Sequence, residues 1–341
     1  MSAPGTRSFP ELPELPRVRL LDGPTPLQPL LRLSAALGGR AELWMKREDL
    51  GPLAFSGNKL RNLEFLLGAA VDAGADTVVT SGRRWSNHCR LTASAGARLG
   101  LEVHVVVNGP PTPDSANVRL MRDLGATVHE TSSEGRDERQ ILVEQVAREA
   151  DARGRRARVL PVGGSDATGA WGQVLAAIEA IDQAAAAGFA PDAIVVPTAT
   201  GGTQAGLAVG VATASRTGAA GKATRGFPPV TGIAVHPDPQ LRTKVERLAS
   251  ELASMARIDA ATIPIDLRET HIGRAYGVPT DESEAAAGLI ATTEGIVVDP
   301  VYTAKGLAGL LELVRSGGFD GRRVIFWNGG GLPAVFESSL G

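Results

Sequence analysis

Between residues 77 and 161 the chain switches its apolar period at short, regular intervals, and no other feature constrains the fold as tightly. Residues 77–80 read as a strand, 87–99 as a helix closed by Gly100, 102–107 as a strand, 116–124 as a helix closed by Gly125, and 127–130 as a strand. A long polar helix over 135–153 and a strand over 158–161 complete the series. Parallel strands need a crossover long enough to hold a helix, so this alternation predicts a parallel sheet with helices on both faces. Gly163-Gly164-Ser165 reads as a boundary, followed by a helix over 169–187 and a second α/β series. Its strands are expected at 193–197, 232–236, 296–299 and 323–327, with helices starting near Thr203, Gln240, Asp281, Thr303 and Leu332. Ahead of both series lie a proline-rich extended segment over 1–26, a helix over 27–37 and a strand over 41–46.

Composition narrows the function. At 341 residues, 43% hydrophobic and 21% charged, the chain is long enough for two lobes with their own cores. A formal net charge of -2 argues against a nucleic-acid or other polyanion partner. One cysteine, Cys89, leaves no disulfide framework and no thiolate cluster, and the five histidines lack metal-ligand spacing, so no metal is expected. Neither a signal-peptide run nor an apolar segment long enough to span a bilayer is present, so no membrane partner and a cytoplasmic location are expected.

Chemistry is sought where strands run into helices, because ligands of open α/β sheets bind beyond the carboxyl ends of the strands. In Phe55-Ser56-Gly57-Asn58 the chain turns, and apolar residues then recur at helical spacing from Leu60, which sets Lys59 in the first helical turn. The positive end of the helix dipole disfavours an ammonium there and favours the neutral, nucleophilic amine that a Schiff-base lysine needs. A solvated surface lysine is the competing reading. Thr200-Gly201-Gly202-Thr203-Gln204 follows a buried strand and opens a helix, so its amides and hydroxyls form a cup for a phosphate; it matches neither the Walker nor the dinucleotide spacing. Ser86 fits an N-cap, with Asn87 and His88 in the helix's first turn as polar groups aimed at a cleft. Tyr302, in Asp299-Pro300-Val301-Tyr302-Thr303, and Tyr276 are the only tyrosines, both on loops. Each of these loops also has a purely structural reading.

Together, in this order, Gly57-Asn58-Lys59, Ser86-Asn87-His88, the 200–206 loop and Asp299-Pro300-Val301-Tyr302 resemble the D-cysteine desulfhydrase and 1-aminocyclopropane-1-carboxylate deaminase family. The likeness runs from about residue 14 to the C-terminus. It implies pyridoxal 5'-phosphate as cofactor and a two-lobed fold type II, like the tryptophan synthase β chain, with each lobe a mostly parallel sheet flanked by helices. By that resemblance residues 61–164 form the smaller lobe, and 1–60 with 165–341 the larger. Lys59 holds the cofactor as a Schiff base and moves the Cα proton, Asn87 meets the phenolic oxygen, and Thr200, Gly201, Gly202, Thr203 and Gln204 hold the phosphate, with Asn58 and Thr303 also at the cofactor. Ser86, Asn87 and His88 face the substrate carboxylate, Tyr276 and Tyr302 flank the substrate as acid/base groups, and a homodimer is implied.

The implied reaction is α,β-elimination from a small amino acid, giving a keto acid, ammonia and sulfide or a related leaving group. Thr303 favours this over cyclopropane opening, because the deaminase carries a glutamate there and a neutral hydroxyl supports a protonated ring nitrogen less well. Cysteate sulfo-lyase, racemase and β-replacement activities on the same scaffold are the other readings, with a non-catalytic phosphometabolite-binding module as the alternative of a different class. Three positions depart from the family pattern: Arg83-Arg84-Trp85 replaces an uncharged stretch, Asn62 replaces a basic residue, and Trp327-Asn328-Gly329-Gly330 replaces a His-Thr-Gly-Gly type run. Arg83 is expected in solvent. Arg84, beside the cleft, either meets an anionic side chain such as a sulfonate or is solvated, and Trp85 reshapes the substrate pocket.

Overall fold

The computed structural model describes residues 12–109, 115–133, 135–216 and 228–337; residues 1–11 of the expected extended segment lie outside them. In chain order the elements are β1 (Leu27–Pro29), α1 (Leu31–Ala36), β2 (Glu42–Arg47), α2 (Lys59–Asp72), β3 (Thr77–Arg83), α3 (Asn87–Leu99), β4 (Glu102–Asn108), α4 (Ala116–Asp123), β5 (Thr127–Thr131) and α5 (Arg136–Ala152). There follow β6 (Ala157–Val159), α6 (Ala167–Ala186), β7 (Ala193–Thr198), α7 (Gly202–Arg216), β8 (Val230–Ala234), α8 (Leu241–Met255), β9 (Asp266–Arg268), α9 (Asp281–Glu294), α10 (Thr303–Arg315) and β10 (Arg323–Asn328).

Two sheets result. One is four-stranded, ordered β5-β4-β3-β6, and parallel throughout, with Val78 opposite Val103 and Val79 opposite His104. Its central strands carry valine on both faces, as a sheet covered by helices on both sides requires. The other is six-stranded, ordered β1-β2-β10-β7-β8-β9, and parallel except for β1. Helix α2 serves both: Leu60, Leu63, Leu66 and Leu67 enter the core beneath the four-stranded sheet, while Phe65 packs with α6 and α7 in the other. Helices α6 and α7 approach closely because Gly206 and Gly210 face α6; a Cβ at Gly210 would lie 2.3 Å from the Val174 carbonyl oxygen.

The alternation is as expected, with three differences. Residues 27–29 form an antiparallel edge strand in place of the first turn of the expected helix. Pro29 has no N–H to offer and fits an edge, and the helix that follows is short. Residues 296–299 are extended but belong to neither sheet; Ile296 and Val298 instead fill the core formed with α9 and α10. The edge beside β8 is taken by β9, three residues too short to announce themselves by period.

Beneath α2 lies a buried ion network. Arg61 donates to both oxygens of Glu48 (2.7 and 2.9 Å) and of Glu179 (2.9 and 2.8 Å), and Lys46 Nζ pairs with Glu179 at 2.5 Å. Burial opposes the Arg61 charge, but the two carboxylates outweigh it and raise its pKa. This network ties α2 to β2 and α6, two residues beyond Lys59.

Candidate active site

A cavity of about 770 Å³ opens at the carboxyl ends of both sheets. Lys59 enters it from the start of α2, delivered by an unusual turn. Ala54, Phe55 and Ser56 are consecutive non-glycine residues at positive φ (39°, 61° and 51°), a conformation that costs about 1–2 kcal/mol per residue. The turn is held from outside: Ser56 Oγ donates to the Glu48 carbonyl (3.0 Å), Arg90 Nη2 donates to the Ser56 carbonyl (3.0 Å), and Gly57 bridges Gly330. Burial lowers the Lys59 pKa to about 8, with no charged group contributing. The direction is the one the helix dipole argument predicts, but the physical cause is loss of water around the amine.

The 200–204 loop, expected from the sequence to form a phosphate cup, leads into α7. Gly201 is at φ 87°, and the first amides of α7 have no intrahelical acceptor. Asn58 Nδ2 donates to Thr203 Oγ1 (3.0 Å), linking the lysine turn to the cup. Thr200 Oγ1 meets Ser165 Oγ at 2.5 Å. Ser165, read from the sequence only as part of a boundary, is therefore a wall of the cup. Gly163 reaches that place at φ 66°, where a Cβ would come 2.7 Å from Thr200 Oγ1. The Gln204 side chain, by contrast, turns away from the cup. It accepts from Thr198 Oγ1 (3.1 Å) and donates to the Asp266 carbonyl (2.7 Å), which fastens β9 to the sheet.

At the start of α3, Ser86 Oγ accepts from the Cys89 amide (3.2 Å), as an N-cap does. Asn87 Oδ1 accepts from Arg90 Nη1 (3.3 Å). His88 Nε2 pairs with Thr80 Oγ1 (2.9 Å), whereas the buried Nδ1 has no partner. Burial first, and Lys59 second, lower the His88 pKa to about 3, so the ring is neutral. Burial pushes the Cys89 thiol up to about 11, which leaves it an inert core residue.

Tyr276 and Tyr302 share a hydroxyl–hydroxyl hydrogen bond, their rings edge to face with centroids 5.9 Å apart. Burial raises both phenol pKa values, so both are protonated at neutral pH. Asp299 sets Tyr302 in place by accepting from the amides of Tyr302 (2.7 Å) and Thr303 (2.9 Å). Thr303 Oγ1 lies at the cavity wall and donates to the Gly330 carbonyl (3.2 Å). Lys305 Nζ donates to the carbonyls of Ile272 (2.8 Å), Val235 (3.2 Å) and Ala275 (3.4 Å), fixing the loop that carries Tyr276.

Neither arginine lies where the sequence suggests. Arg84, in the turn after β3, is buried, paired with Glu130, and does not line the cavity. Arg83 does line it, its guanidinium 5.9 Å from the centre of the Tyr276 ring. Trp85 stacks behind Tyr276 at 6.0 Å and supports that ring without reaching the cavity.

Comparison with known proteins decides the family. Residues 18–330 match the family described as pyridoxal-phosphate dependent enzyme. The chain belongs to that family. Among these pyridoxal-phosphate enzymes it is 38% identical to the D-cysteine desulfhydrases of Yersinia enterocolitica and Serratia proteamaculans, over 96% of this chain and 97% of each relative. A crystal structure of a homologue of ACC deaminase, 32% identical, superposes with a TM-score of 0.86 over 96% of this chain and 95% of that one. A threonine deaminase structure at 21% identity and TM-score 0.64 shares the fold. The fold is type II.

The residues present fit the cofactor. Gly202 leaves the cup floor open, since a Cβ there would lie 2.8 Å from Ser165 Oγ. The amine of Lys59 shares one cavity with that cup. Two polar atoms of the same cavity's lining residues, His88 Nδ1 and Trp327 Nε1, are buried without a partner among the described residues.

Proposed function

We propose that this chain is a D-cysteine desulfhydrase-like lyase, acting on a small amino acid by α,β-elimination to give a keto acid, ammonia and the β leaving group. The observation that carries the reading is the convergence in one cavity of a desolvated lysine, a helix-terminal phosphate cup and a hydrogen-bonded tyrosine pair. When bound, pyridoxal phosphate supplies a ring that delocalises the electron pair left at Cα. The amides of α7 with Thr200, Thr203 and Ser165 hold its phosphate, the Asn87 amide its phenolic oxygen, and Thr303 its ring nitrogen. Ser86 and His88, at the start of α3, take the substrate carboxylate. Lys59 Nζ, as the free neutral amine, would remove the Cα proton. One hydroxyl of the Tyr276–Tyr302 pair is occupied by the other, and the remaining O–H protonates the leaving group. Elimination is favoured over ring opening by Thr303, which offers no carboxylate to the ring nitrogen. We also assign residues 1–60 with 165–341 to the larger lobe and 61–164 to the smaller, and infer a cytoplasmic homodimer.

The test is borohydride reduction of the protein with bound cofactor, followed by peptide mapping, and then a panel of D- and L-amino acids scored for keto acid, ammonia and sulfide. Label on Lys59 with pyruvate and sulfide from D-cysteine is the expected outcome. Release of 2-oxobutyrate from 1-aminocyclopropane-1-carboxylate alone would place the chain with the deaminases, and absence of label on Lys59 would end the lyase reading.

A further inference from the structure

Seven cationic side chains line the cavity against two carboxylates, Asp137 and Asp238. Most of that excess has a partner or an evident use. Asp238 takes Lys244 (2.7 Å) and Arg136 (3.4 Å). Helix α8, which carries Lys244 and Arg247, packs against the phosphate cup, with Val245 Cγ2 3.0 Å from where a Gly201 Cβ would stand. Lys59 belongs to the cofactor. Arg274 is exposed to solvent, which leaves Arg83 and Arg139. Neither forms an ion pair among the described residues, and the hydrogen bond recorded for Arg139 goes to a neutral group, Asn108 Oδ1 at 2.8 Å.

Arg139 is only 7% exposed. Burial, and after it the nearby Arg83 and Arg136 charges, disfavour its guanidinium despite partial relief from Cys89. Holding uncompensated like charges together in a partly dry cleft opposes folding, so the arrangement has a rationale only if an anion completes it. Its position says which anion. Arg83 lies over the Tyr276 ring, whose hydroxyl bonds Tyr302, so the charge faces the tyrosine pair. The phosphate and the α-carboxylate have their own partners at the starts of α7 and α3.

Resting on the lyase reading above, we propose that the cavity takes an amino acid whose side chain carries a second negative charge, a carboxylate or sulfonate, held by Arg83 and Arg139. The sequence offered Arg84 as one candidate for such a contact, but that guanidinium is taken up by Glu130.

The experiment titrates the holoenzyme with D- and L-aspartate and cysteate against the neutral asparagine, serine and cysteine, reading the change in the cofactor's visible absorbance. A charged hydrogen bond is worth about 1.5–3 kcal/mol, so the anionic ligands should half-saturate at roughly ten- to hundred-fold lower concentration than neutral ones of similar size. R83Q and R139Q should each collapse that preference. Equal half-saturation by neutral and anionic ligands in the wild-type holoenzyme overturns the inference whether or not the variants fold. So does an equal loss for both ligand sets in the variants. A visible band trapped on Lys59 with no anionic preference overturns this inference alone, whereas a protein that never develops the band overturns the lyase reading with it.

Discussion

The pKa of Lys59 turns the site's geometry into a measurable rate. An amine attacks a carbonyl only when neutral, and at pH 7 a lysine with the ordinary pKa of 10.5 is about 0.03% neutral. Lowered by burial to about 8, Lys59 is about 10% neutral at the same pH, roughly a 300-fold gain in nucleophile. The apoprotein, treated with a limiting amine-directed acylating reagent between pH 6 and 11 and mapped by mass spectrometry, should show Lys59 labelling that rises tenfold per pH unit and levels off above pH about 8. Exposed lysines in the same digest serve as the internal standard, levelling above pH about 10. If labelling of Lys59 keeps climbing in step with those standards beyond pH 9.5, the amine is solvated and the burial argument is refuted. A linked effect has a fixed sign. With the folded pKa depressed, the unfolded chain binds more protons at this lysine above pH about 8, so apoprotein stability should rise with pH from about 8 to 9, above which the raised pKa values of Cys89, Tyr276 and Tyr302 oppose the rise. Lys305, also lowered to about 8 by burial, adds to the rise in the same direction.

Five substitutions probe the rest of the site. Tyr302→Phe and Tyr276→Phe should each lower kcat by about 10²–10⁴-fold while leaving the cofactor absorbance in place, as expected for loss of a proton donor. Gly202→Ala puts a methyl group 2.8 Å from Ser165 Oγ at the cup floor, and equilibrium dialysis should show cofactor affinity reduced by tenfold or more. Lys305→Met removes three donors from the loop that bears Tyr276, and a fall in kcat without loss of cofactor binding would mark it as a positioning residue. Arg61→Met leaves Glu48 and Glu179 facing each other with Lys46 as the remaining nearby cation; denaturant titration should report a loss of about 3–5 kcal/mol.

What could be read from the sequence was local. A lysine after a turn, glycines and threonines at a strand-to-helix junction, and a serine cap each announce themselves by residue type and position, and the structure places all three as expected. Side-chain direction was not legible. Arg83 ends β3 and Arg84 opens the turn that follows, and one enters the cleft while the other meets Glu130. Nothing in the sequence says which. Gln204 is similar: its amide is placed by β9, three residues that cannot show a period. Ser165 carried a turn signal that was correct, but its contact with Thr200 spans 35 residues and depends on how the two sheets meet.

One residue explains why the strained turn before Lys59 persists. Left-handed conformations at three successive non-glycine residues survive only where the surroundings over-determine them. Glu48 supplies much of that constraint from a single position. Its amide donates to the Asn328 carbonyl at the end of β10 (3.1 Å), its carbonyl accepts from Ser56 Oγ (3.0 Å), and its carboxylate holds Arg61 beyond the lysine (2.7 and 2.9 Å). The turn before Lys59 and the helix after it are thus fixed to the same residue and the same strand end. Gly330, two residues past Asn328, closes the arrangement by bridging Gly57 and accepting from Thr303 Oγ1 (3.2 Å). The amine is therefore carried on rigid backbone, while the tyrosines and Arg83 opposite it come from other segments. A site built this way holds its nucleophile constant and leaves specificity to the residues across the cleft, Arg83 among them.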